Sequence, residues 1–477
     1  MTATSKWTLR TPRTASLLAL LALAGCAHPP PSATADKPTC AALFAARDAV
    51  VQGAGDAQYQ PLAGLPGLRS DRLLAALAGT ATRPDARRLW LQELAARDAE
   101  ASAIELGNLP ASQAAQWTSA SRQQALALCR QAQIERLLVD PLAFQHAAAA
   151  AQVPDDYRPW ARRLGAYGLF EPFYRRGVQA WQRAASATEA PAEAARWLTY
   201  TPLAPPAPVP PPVTALNVDA LGLPRPSAEQ ADALFARHAP TLRIEQRSRA
   251  DRLGSPAFDT RGRRVFQQTP RVYQHLGWSW LDGRWRLQLI YQLWFARRPD
   301  THPLDLYAGK LDGLLWRVTL NERGEALLYD SIHPCGCWHG FYLPVHSPLQ
   351  LRPEADQESR LARRLTLEGR TGATLWLASG DHRLSWVDDR ASAFPAIGYA
   401  RSPLDGLRQL PHPQGRRSLY GPDGLVPGSE RLERWLLWPS GVDSPGTMRQ
   451  WGRHATAFIG RAQFDAPYLL QDYFPDP

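Results

Sequence analysis

Four residues with metal-binding or redox-active side chains occur within seven positions of the stretch YDSIHPCGCWHGFY, residues 329–342. They are His333, Cys335, Cys337 and His339, one at every second position. Imidazole and thiolate are preferred ligands of zinc and Cu(I), and four of them fill a tetrahedral site. If the chain turns at Pro334 and Gly336, the sequence predicts a zinc or copper site here, although it establishes no cofactor.

Two other interpretations fit the same residues. Cys335 and Cys337 can form a disulfide whose very small ring is strained and easily reduced, so the pair could exchange with other thiols. Alternatively, the same disulfide is inert and only holds a tight loop. On a strand that simply continued, His333 and His339 would lie about 20 Å apart and could not share one ion.

The N-terminal residues are predicted to be a targeting signal. Lys6, Arg10 and Arg13 precede the apolar run SLLALLALAG, which is too short to span a bilayer. The run ends in the four residues Leu23–Cys26. This order of charge, apolar run and cysteine resembles the lipobox of bacterial lipoproteins.

The resemblance implies removal of the signal peptide 1–25 and attachment of lipid, including palmitate, to Cys26. Two or more acyl chains would anchor the protein stably in a membrane. Ala27 follows the cysteine, whereas an aspartate there often marks retention in the inner membrane. The sequence therefore predicts a protein on the outer membrane of the cell envelope, facing the periplasm.

The formal net charge of +10 does not indicate a nucleic-acid partner. Lysine occurs only at positions 6, 37 and 310, and the arginines are scattered among acidic residues rather than gathered in a stripe. An exported chain also does not meet DNA or RNA. The predicted partners are the membrane, through the lipid, and peptidoglycan or other envelope proteins.

The cysteine count suits an oxidising compartment. Without Cys26, four cysteines remain, and the simplest pairing is Cys40 with Cys129 and Cys335 with Cys337.

The pattern along the chain predicts an α+β protein of two domains. Residues 26–39 have the composition of a tether, and residues 40–200 are rich in alanine, with apolar residues at helical spacing. Seven prolines in 201–213 predict a linker over 201–215. Residues 216–477 are predicted to form an antiparallel β-rich domain, sandwich-like or open-barrel-like, that includes a few helices.

Alternating apolar residues identify the strands of the second domain. RVYQHLGWSW and RWRLQLIYQLWF flank Asp282-Gly283, which predicts a hairpin. LLWRVTL and ALLYDSI predict another hairpin, RRLTLEG and ATLWLASG a third across Gly369–Gly372, and HRLSWV a further strand.

The sequence contains no Gly-x-Ser-x-Gly elbow, no His-Glu-x-x-His helix and no phosphate-binding loop, so it predicts no catalytic residue and does not assign an enzyme activity. His346, His382 and His454 are predicted to be surface or hydrogen-bonded core residues.

Tryptophans of the second domain suggest a glycan-binding module if they are exposed in a row, with Trp294 as the candidate platform. The predicted role is binding or assembly in the periplasm; the alternatives are metal or thiol chemistry at residues 333–339 and glycan binding.

Overall fold

The computed structural model describes residues 39–186, 196–203, 216–352, 362–389 and 395–474. The predicted signal peptide and lipidation site, almost all of the tether and most of the Pro-rich segment lie outside these residues. The chain from Cys40 to Pro477 forms one compact unit. Among the described helices, none combines the length and apolar character needed to cross a bilayer.

Most of the helical residues come before the sheet in the chain. The helices are α1 Cys40–Val50, α2 Arg72–Leu77, α3 Pro84–Gly107, α4 Ala111–Ala114, α5 Ala120–Val139, α6 Pro141–Ala150, α7 Pro159–Leu164, α8 Tyr167–Ser186, α9 Ala228–His238, α10 Glu433–Leu437 and α11 Leu469–Tyr473. Short 3-10 helices occupy Arg249–Asp251, Leu404–Arg408 and Trp438–Ser440. Local chemistry fixes several helix starts: proline is the first residue of α3, α6 and α7, and the Asp140 carboxylate accepts a bond from the Leu142 amide at the start of α6.

The strands are β1 Gln60–Pro61, β2 Arg69–Ser70, β3 Trp197–Pro202, β4 Asn217–Val218, β5 Pro224–Arg225, β6 Thr241–Glu245, β7 Ser255–Phe258, β8 Arg264–Gln267, β9 Arg271–Leu281, β10 Arg284–Arg298, β11 Gly309–Leu320, β12 Ala326–Ile332, β13 Gly340–Leu343, β14 Ala362–Arg364, β15 Thr374–Leu377, β16 Leu384–Asp388, β17 Ala396–Pro403, β18 Leu410–His412 and β19 Gly415–Arg417. Eleven of them form one sheet in the order β14-β13-β12-β11-β10-β9-β17-β3-β6-β15-β16. The α+β class is therefore confirmed.

Two of the predicted hairpins are confirmed. β9 and β10 pair antiparallel around Asp282 and Gly283, whose positive φ angles of 56° and 68° match the mirror-image turn that suits strand twist. β11 and β12 also pair antiparallel, and HRLSWV supplies β16 beside β15. Four other neighbouring pairs, β13–β14, β9–β17, β3–β17 and β6–β15, are parallel, so the sheet is mixed rather than antiparallel throughout.

The predicted hairpin across Gly369–Gly372 is wrong. RRLTLEG contributes β14 at one end of the sheet, whereas ATLWLASG contributes β15 near the other end. The nine residues 365–373 between them can span at most about 30 Å. At the start of this segment the Leu365 amide donates to the Leu343 carbonyl of β13. At its end the Ala373 carbonyl accepts a bond from the Thr241 amide of β6. The sheet must therefore curl into a half-barrel, which matches the open-barrel alternative rather than a two-sheet sandwich.

Apolar side chains fill both sides of the central strands. The concave face holds the largest core, in which Leu289, Tyr291 and Trp316 are fully buried. The opposite face of β10 is covered as well, and Trp294 is 0% exposed in a cluster with Met448. The prediction of Trp294 as an exposed platform is therefore wrong, because the loops after residue 404 cover that side of the sheet.

The helical segment shares a core with the sheet. Buried residues of α2, α3, α5 and α6 form one hydrophobic cluster with Trp285 of β10. The described residues thus show no gap between a helical and a β-rich body, and the predicted two-domain division at 201–215 stays a prediction. β3 already begins at Trp197, because WLTYTP has the alternating pattern of a strand rather than of a helix.

One predicted disulfide is present. Cys40 of α1 is joined to Cys129 of α5 across a sequence separation of 89 residues, with the Cα atoms 5.4 Å apart. Cys335 and Cys337 are not bonded to each other in this structure, so the second predicted disulfide is not observed.

Candidate functional site

The His333–His339 segment forms a buried turn between β12 and β13. The chain reverses because the His333 amide donates to the Cys337 carbonyl and Gly336 adopts a φ of +93°. A side chain at Gly336 would collide with the Ala455 carbonyl oxygen, 2.1 Å from an ideal Cβ. The turn expected at Pro334 and Gly336 is thus confirmed, and it places this segment against the C-terminal loops.

The two histidines of the cluster bind different carboxylates. His333 Nδ1 lies 3.3 Å from Asp312 Oδ1, whereas His339 Nε2 lies 3.1 Å from Asp330 Oδ2. Asp330 also accepts two bonds from Arg317, its direct cross-strand partner on β11. No group of three or more His, Cys, Asp or Glu side chains in the described part of the chain is arranged to hold a metal ion. A zinc or copper site at residues 333–339 therefore stays a prediction.

Asp312 is the centre of a larger buried network. Its carboxylate lies 3.1 Å from Arg431 Nη2 and 2.9 Å from His382 Nδ1, in addition to His333, and the other nitrogen of His382 lies 3.4 Å from Asp251. Burial alone would raise the pKa of Asp312, but the Arg431 guanidinium and the histidines hold it well below its usual range. Burial opposes the protonation of His382, yet its two carboxylate partners raise its pKa. These groups form a fixed ionic core.

Of the three histidines predicted to be surface or hydrogen-bonded core residues, two lie in the core and one lies on the surface. His382 and His454 are 0% exposed and each contacts an aspartate, and His382 also stacks on Phe295 with ring centroids 3.8 Å apart. His346 lies on the surface, with its side chain 67% exposed. His382 lies near Asp251, which accepts a bond from the Ser379 hydroxyl, but within the described residues none of the three histidines is itself hydrogen-bonded to a serine hydroxyl.

Cys335 and Cys337 face each other as free thiols. A hydrogen bond from Cys337 lowers the pKa of Cys335 to about 5, with further help from Arg431, against the opposing effect of burial. The same bond, with burial, raises the pKa of Cys337 well above its usual value. Cys335 is 3% exposed and Cys337 is partly exposed. The thiolate form is therefore favoured at Cys335, and the Cys337 thiol donates a hydrogen bond to it.

A separate cavity of about 480 Å³ lies between the helical segment and the sheet, and we call it the β9 cleft. It opens beside β9 and extends to α2, α3, α9 and the C-terminal loops. Its walls include Tyr59, Arg72, Arg97, Glu100, Phe235, His275, Trp278, Trp451 and Arg453. Clefts that combine aromatic rings with a few convergent polar groups are the usual form of a ligand site.

The edge of β9 is open at this cleft. β9 pairs with β10 along almost its whole length, but with β17 only from Arg271 to Gln274. In an antiparallel ladder that closes on a two-residue turn, every second residue directs its N–H and C=O away from the partner strand. Trp280 is one of these, since its amide donates to the Pro467 carbonyl. Trp278 and Leu276 lie two and four residues before Trp280, so their N–H and C=O groups also point away from β10. Both residues line the cleft, and these backbone groups therefore point into it.

His275 is the least constrained ionisable side chain of the cleft. Its ring lies 5.4 Å from that of Trp451, and in the described residues neither ring nitrogen has a hydrogen-bond partner. Burial lowers its pKa, with the surrounding carboxylates and arginines acting in both directions. The imidazole is therefore neutral at neutral pH and offers one donor and one acceptor to a ligand.

Several polar and charged side chains of the cleft already have hydrogen-bond partners within the protein. Arg97 Nε lies 2.9 Å from Asp71, the Tyr59 hydroxyl donates to Glu100 at 2.7 Å, and Arg72 Nε donates to the Gly452 carbonyl at 2.6 Å. Such pairing fixes the side chains before a ligand arrives. It also leaves the cleft without a strong excess of either charge, so the site suits a polar ligand of low net charge.

A larger cavity of about 680 Å³ lies near the hairpin turns and is lined by Arg286, Glu322, His346 and other mostly polar residues. Among the described residues, its lining contains no tryptophan, tyrosine or phenylalanine, in contrast to the β9 cleft. The β9 cleft is therefore the better candidate for specific binding.

No sequence motif marks the β9 cleft, because its residues are spread from position 57 to position 467. The one local signal was His275 within a mostly apolar strand, two residues before Gly277. A comparison of the chain with protein-family models, with curated proteins and with solved structures gave no match.

Proposed function

We propose that this chain is a lipid-anchored protein of the cell envelope, on the periplasmic side of the outer membrane, and that it binds a ligand in the β9 cleft. The lipobox Leu23–Cys26 supports the anchor and the location. The observation that supports binding is the cleft itself, where the unpartnered imidazole of His275 lies beside Trp451 and an open strand edge.

The lining of the cleft favours a ligand with both sugar and peptide character. An extended peptide can pair with an open strand edge through main-chain hydrogen bonds, as at Leu276 and Trp278. The partly exposed ring of Trp451 lines the cleft and offers an apolar surface on which a sugar can stack, whereas Arg225 already lies over the Trp278 ring at 5.2 Å. Peptidoglycan fragments contain both sugars and peptides. A single ligand of this class would therefore satisfy both the periplasmic binding role and the glycan-binding alternative.

Replacing His275 by alanine is expected to weaken binding of a purified disaccharide-peptide fragment of peptidoglycan by about tenfold or more, because a buried hydrogen-bonding partner is lost. Isothermal titration calorimetry measures the change directly. The matched control is His346→Ala, which removes an imidazole from the larger, non-aromatic cavity and should leave the affinity unchanged.

Co-sedimentation with intact sacculi checks the same proposal at the level of the polymer. The proposal fails if the unmodified protein neither sediments with sacculi nor binds fragments. It also fails if the His275 and His346 variants bind equally well.

A second candidate function is thiol–disulfide exchange at Cys335 and Cys337, favoured by the contact of two unbonded sulfurs. Oxidation would join the two sulfurs and release two protons and two electrons. A small disulfide such as oxidised glutathione would accept them and leave as two thiols. The surrounding turn, with Gly336 at a positive φ, already holds the sulfurs close together.

We expect Cys335 and Cys337 to interconvert between dithiol and disulfide when the protein is equilibrated in glutathione buffers of different ratio. Mass spectrometry after alkylation counts the free thiols, while Cys40–Cys129 serves as the internal reference that stays oxidised. In the Cys337→Ser variant the intramolecular bond cannot form. If alkylation still detects two free thiols at Cys335 and Cys337 after equilibration in oxidised glutathione, this function is ruled out.

A further inference from the structure

Helix α8 has one face attached to the body of the protein. Tyr174 is buried against Phe458, with ring centroids 6.3 Å apart, and Trp181 lies 5.5 Å from Trp338. These two residues are seven positions apart, which is two helical turns, so they share a face. The helix is therefore held firmly along its inner side.

A flank of the same helix, next to the attached face, is apolar and open. Leu169 is 82% exposed, Phe173 67% and Phe170 47%. These residues follow helical spacing and so form one stripe. A stripe of large apolar side chains at such exposure costs free energy in water and marks an interaction site.

Two neighbouring elements extend this apolar surface. Leu164 at the end of α7 is 76% exposed, and Trp435 and Leu436 of α10 are 69% and 53% exposed. The 3-10 helix Trp438–Ser440 lies against α7, α8 and α10 and links them. We call the exposed residues Leu164, Leu169, Phe170, Phe173, Trp435 and Leu436 the docking surface.

The charge around the docking surface has one dominant sign. Residues 158–186 contain six arginines and a single glutamate, Glu171. Arg163 and Arg176 are exposed next to the apolar stripe, and Arg434 lies over the Trp435 ring at 4.8 Å. Trp, Phe and Leu beside arginines are the composition of helices that lie in the interface of a membrane. This excess of positive charge on α7 and α8 also matches a partner with uniform negative charge.

We propose that the docking surface binds the surface of an anionic phospholipid bilayer, with α8 lying in the interface. The contact itself does not require the lipid on Cys26. If that lipid is present, as in the proposed function, the 14 residues 26–39 reach at most about 50 Å, so the body stays near the membrane. The docking surface would then set the orientation in which the β9 cleft faces the periplasm.

The test uses the chain from Ala27 onward, exported with a leader that leaves no lipid, so that binding by the docking surface is separated from the anchor. We expect it to float with vesicles containing phosphatidylglycerol and to bind pure phosphatidylcholine at least about tenfold more weakly. The triple variant Leu169→Ser, Phe170→Ser, Phe173→Ser should lose binding to the anionic vesicles by about tenfold or more.

The matched control is Leu128→Ser, Val139→Ser, Leu142→Ser, which removes three apolar side chains of α5 and α6 that are 64%, 80% and 75% exposed. This variant should bind like the unmodified chain. A second variant, Arg163→Gln with Arg176→Gln, should bind anionic vesicles more weakly and show a smaller effect of salt. Circular dichroism confirms that each variant is folded.

Three results would overturn the proposal: no binding of the unmodified chain to anionic vesicles, equal losses in the two triple variants, or self-association that only the α8 variant abolishes. The last result would assign the surface to a second copy of the chain. Failure of lipid attachment to Cys26, measured separately on the full chain by palmitate labelling, would contradict the proposed anchor and leave the docking surface unaffected.

Discussion

Replacing Asp312 by alanine is expected to lower the free energy of unfolding by about 3–5 kcal/mol, because it leaves buried groups without their counter-charge. The Asp312 side chain is 0% exposed and bonds to Arg431, His333 and His382. The Arg431 guanidinium, whose side chain is 2% exposed, has no route to water in the folded state. Urea unfolding at neutral pH, followed by tryptophan fluorescence, measures the loss.

An exposed ion pair provides the control for this experiment. Asp300 is 64% exposed and pairs with Arg297, which is 51% exposed. Solvent screens such a pair, so Asp300→Ala should cost less than about 1 kcal/mol. Asp312→Asn keeps the size of the side chain and part of its hydrogen bonding, so it should fall between the two. Equal effects of Asp312→Ala and Asp300→Ala would show that the buried network does not stabilise the fold.

The pH dependence of the Asp312 contribution has a defined sign. The pKa of Asp312 is held well below its usual range in the folded state, so the unfolded chain binds the proton more readily. The stabilisation is therefore complete above the unfolded pKa of about 4 and is lost as the pH falls below it. The difference between the unmodified protein and Asp312→Asn should accordingly shrink when unfolding is measured in acid.

Removing the Cys40–Cys129 disulfide is expected to lower the free energy of unfolding by about 4–5 kcal/mol. The bond closes a long loop, with a sequence separation of 89 residues, and so restricts the unfolded chain strongly. The double variant Cys40→Ala, Cys129→Ala leaves small side chains at the site. Thermal and urea unfolding under non-reducing conditions measure the change.

The control for this variant is Cys335→Ala with Cys337→Ala, which removes two thiols that form no bond in this structure. The second pair of substitutions should lower the free energy of unfolding clearly less than the first pair, because it opens no covalently closed loop. Reduction of the unmodified protein should reproduce the effect of the Cys40 and Cys129 substitutions. A stability that does not change on reduction would show that the long loop is already restrained in the unfolded chain.

Local patterns in the sequence were sufficient for several features. The β9–β10 hairpin was predictable because Asp282-Gly283 adopts the positive φ angles of its turn at low cost, and the strands on either side alternate. The turn at residues 333–339 was predictable because Pro334 and Gly336 cannot continue a strand. The Cys40–Cys129 bond followed from the cysteine count in a chain predicted to be exported.

Pairing between distant strands was not predictable from such patterns. β14 and β15 have the composition of a hairpin, but hydrogen bonds to β13 and β6 take them to opposite ends of the sheet. The burial of Trp294 depends on loops more than a hundred residues further along the chain. No periodicity within a strand reveals what covers its outer face.

By itself, the sequence determined the α+β class, most of the helical and strand-forming regions, two of the three hairpin turns and the Cys40–Cys129 disulfide, since each depends on neighbouring residues or on a simple count. Tertiary structure alone decided the curl of the sheet, the separate carboxylate partners of His333 and His339, and the β9 cleft around His275. The physical reason is that burial and electrostatics act between residues that are close in space, and only the packed chain defines which residues those are.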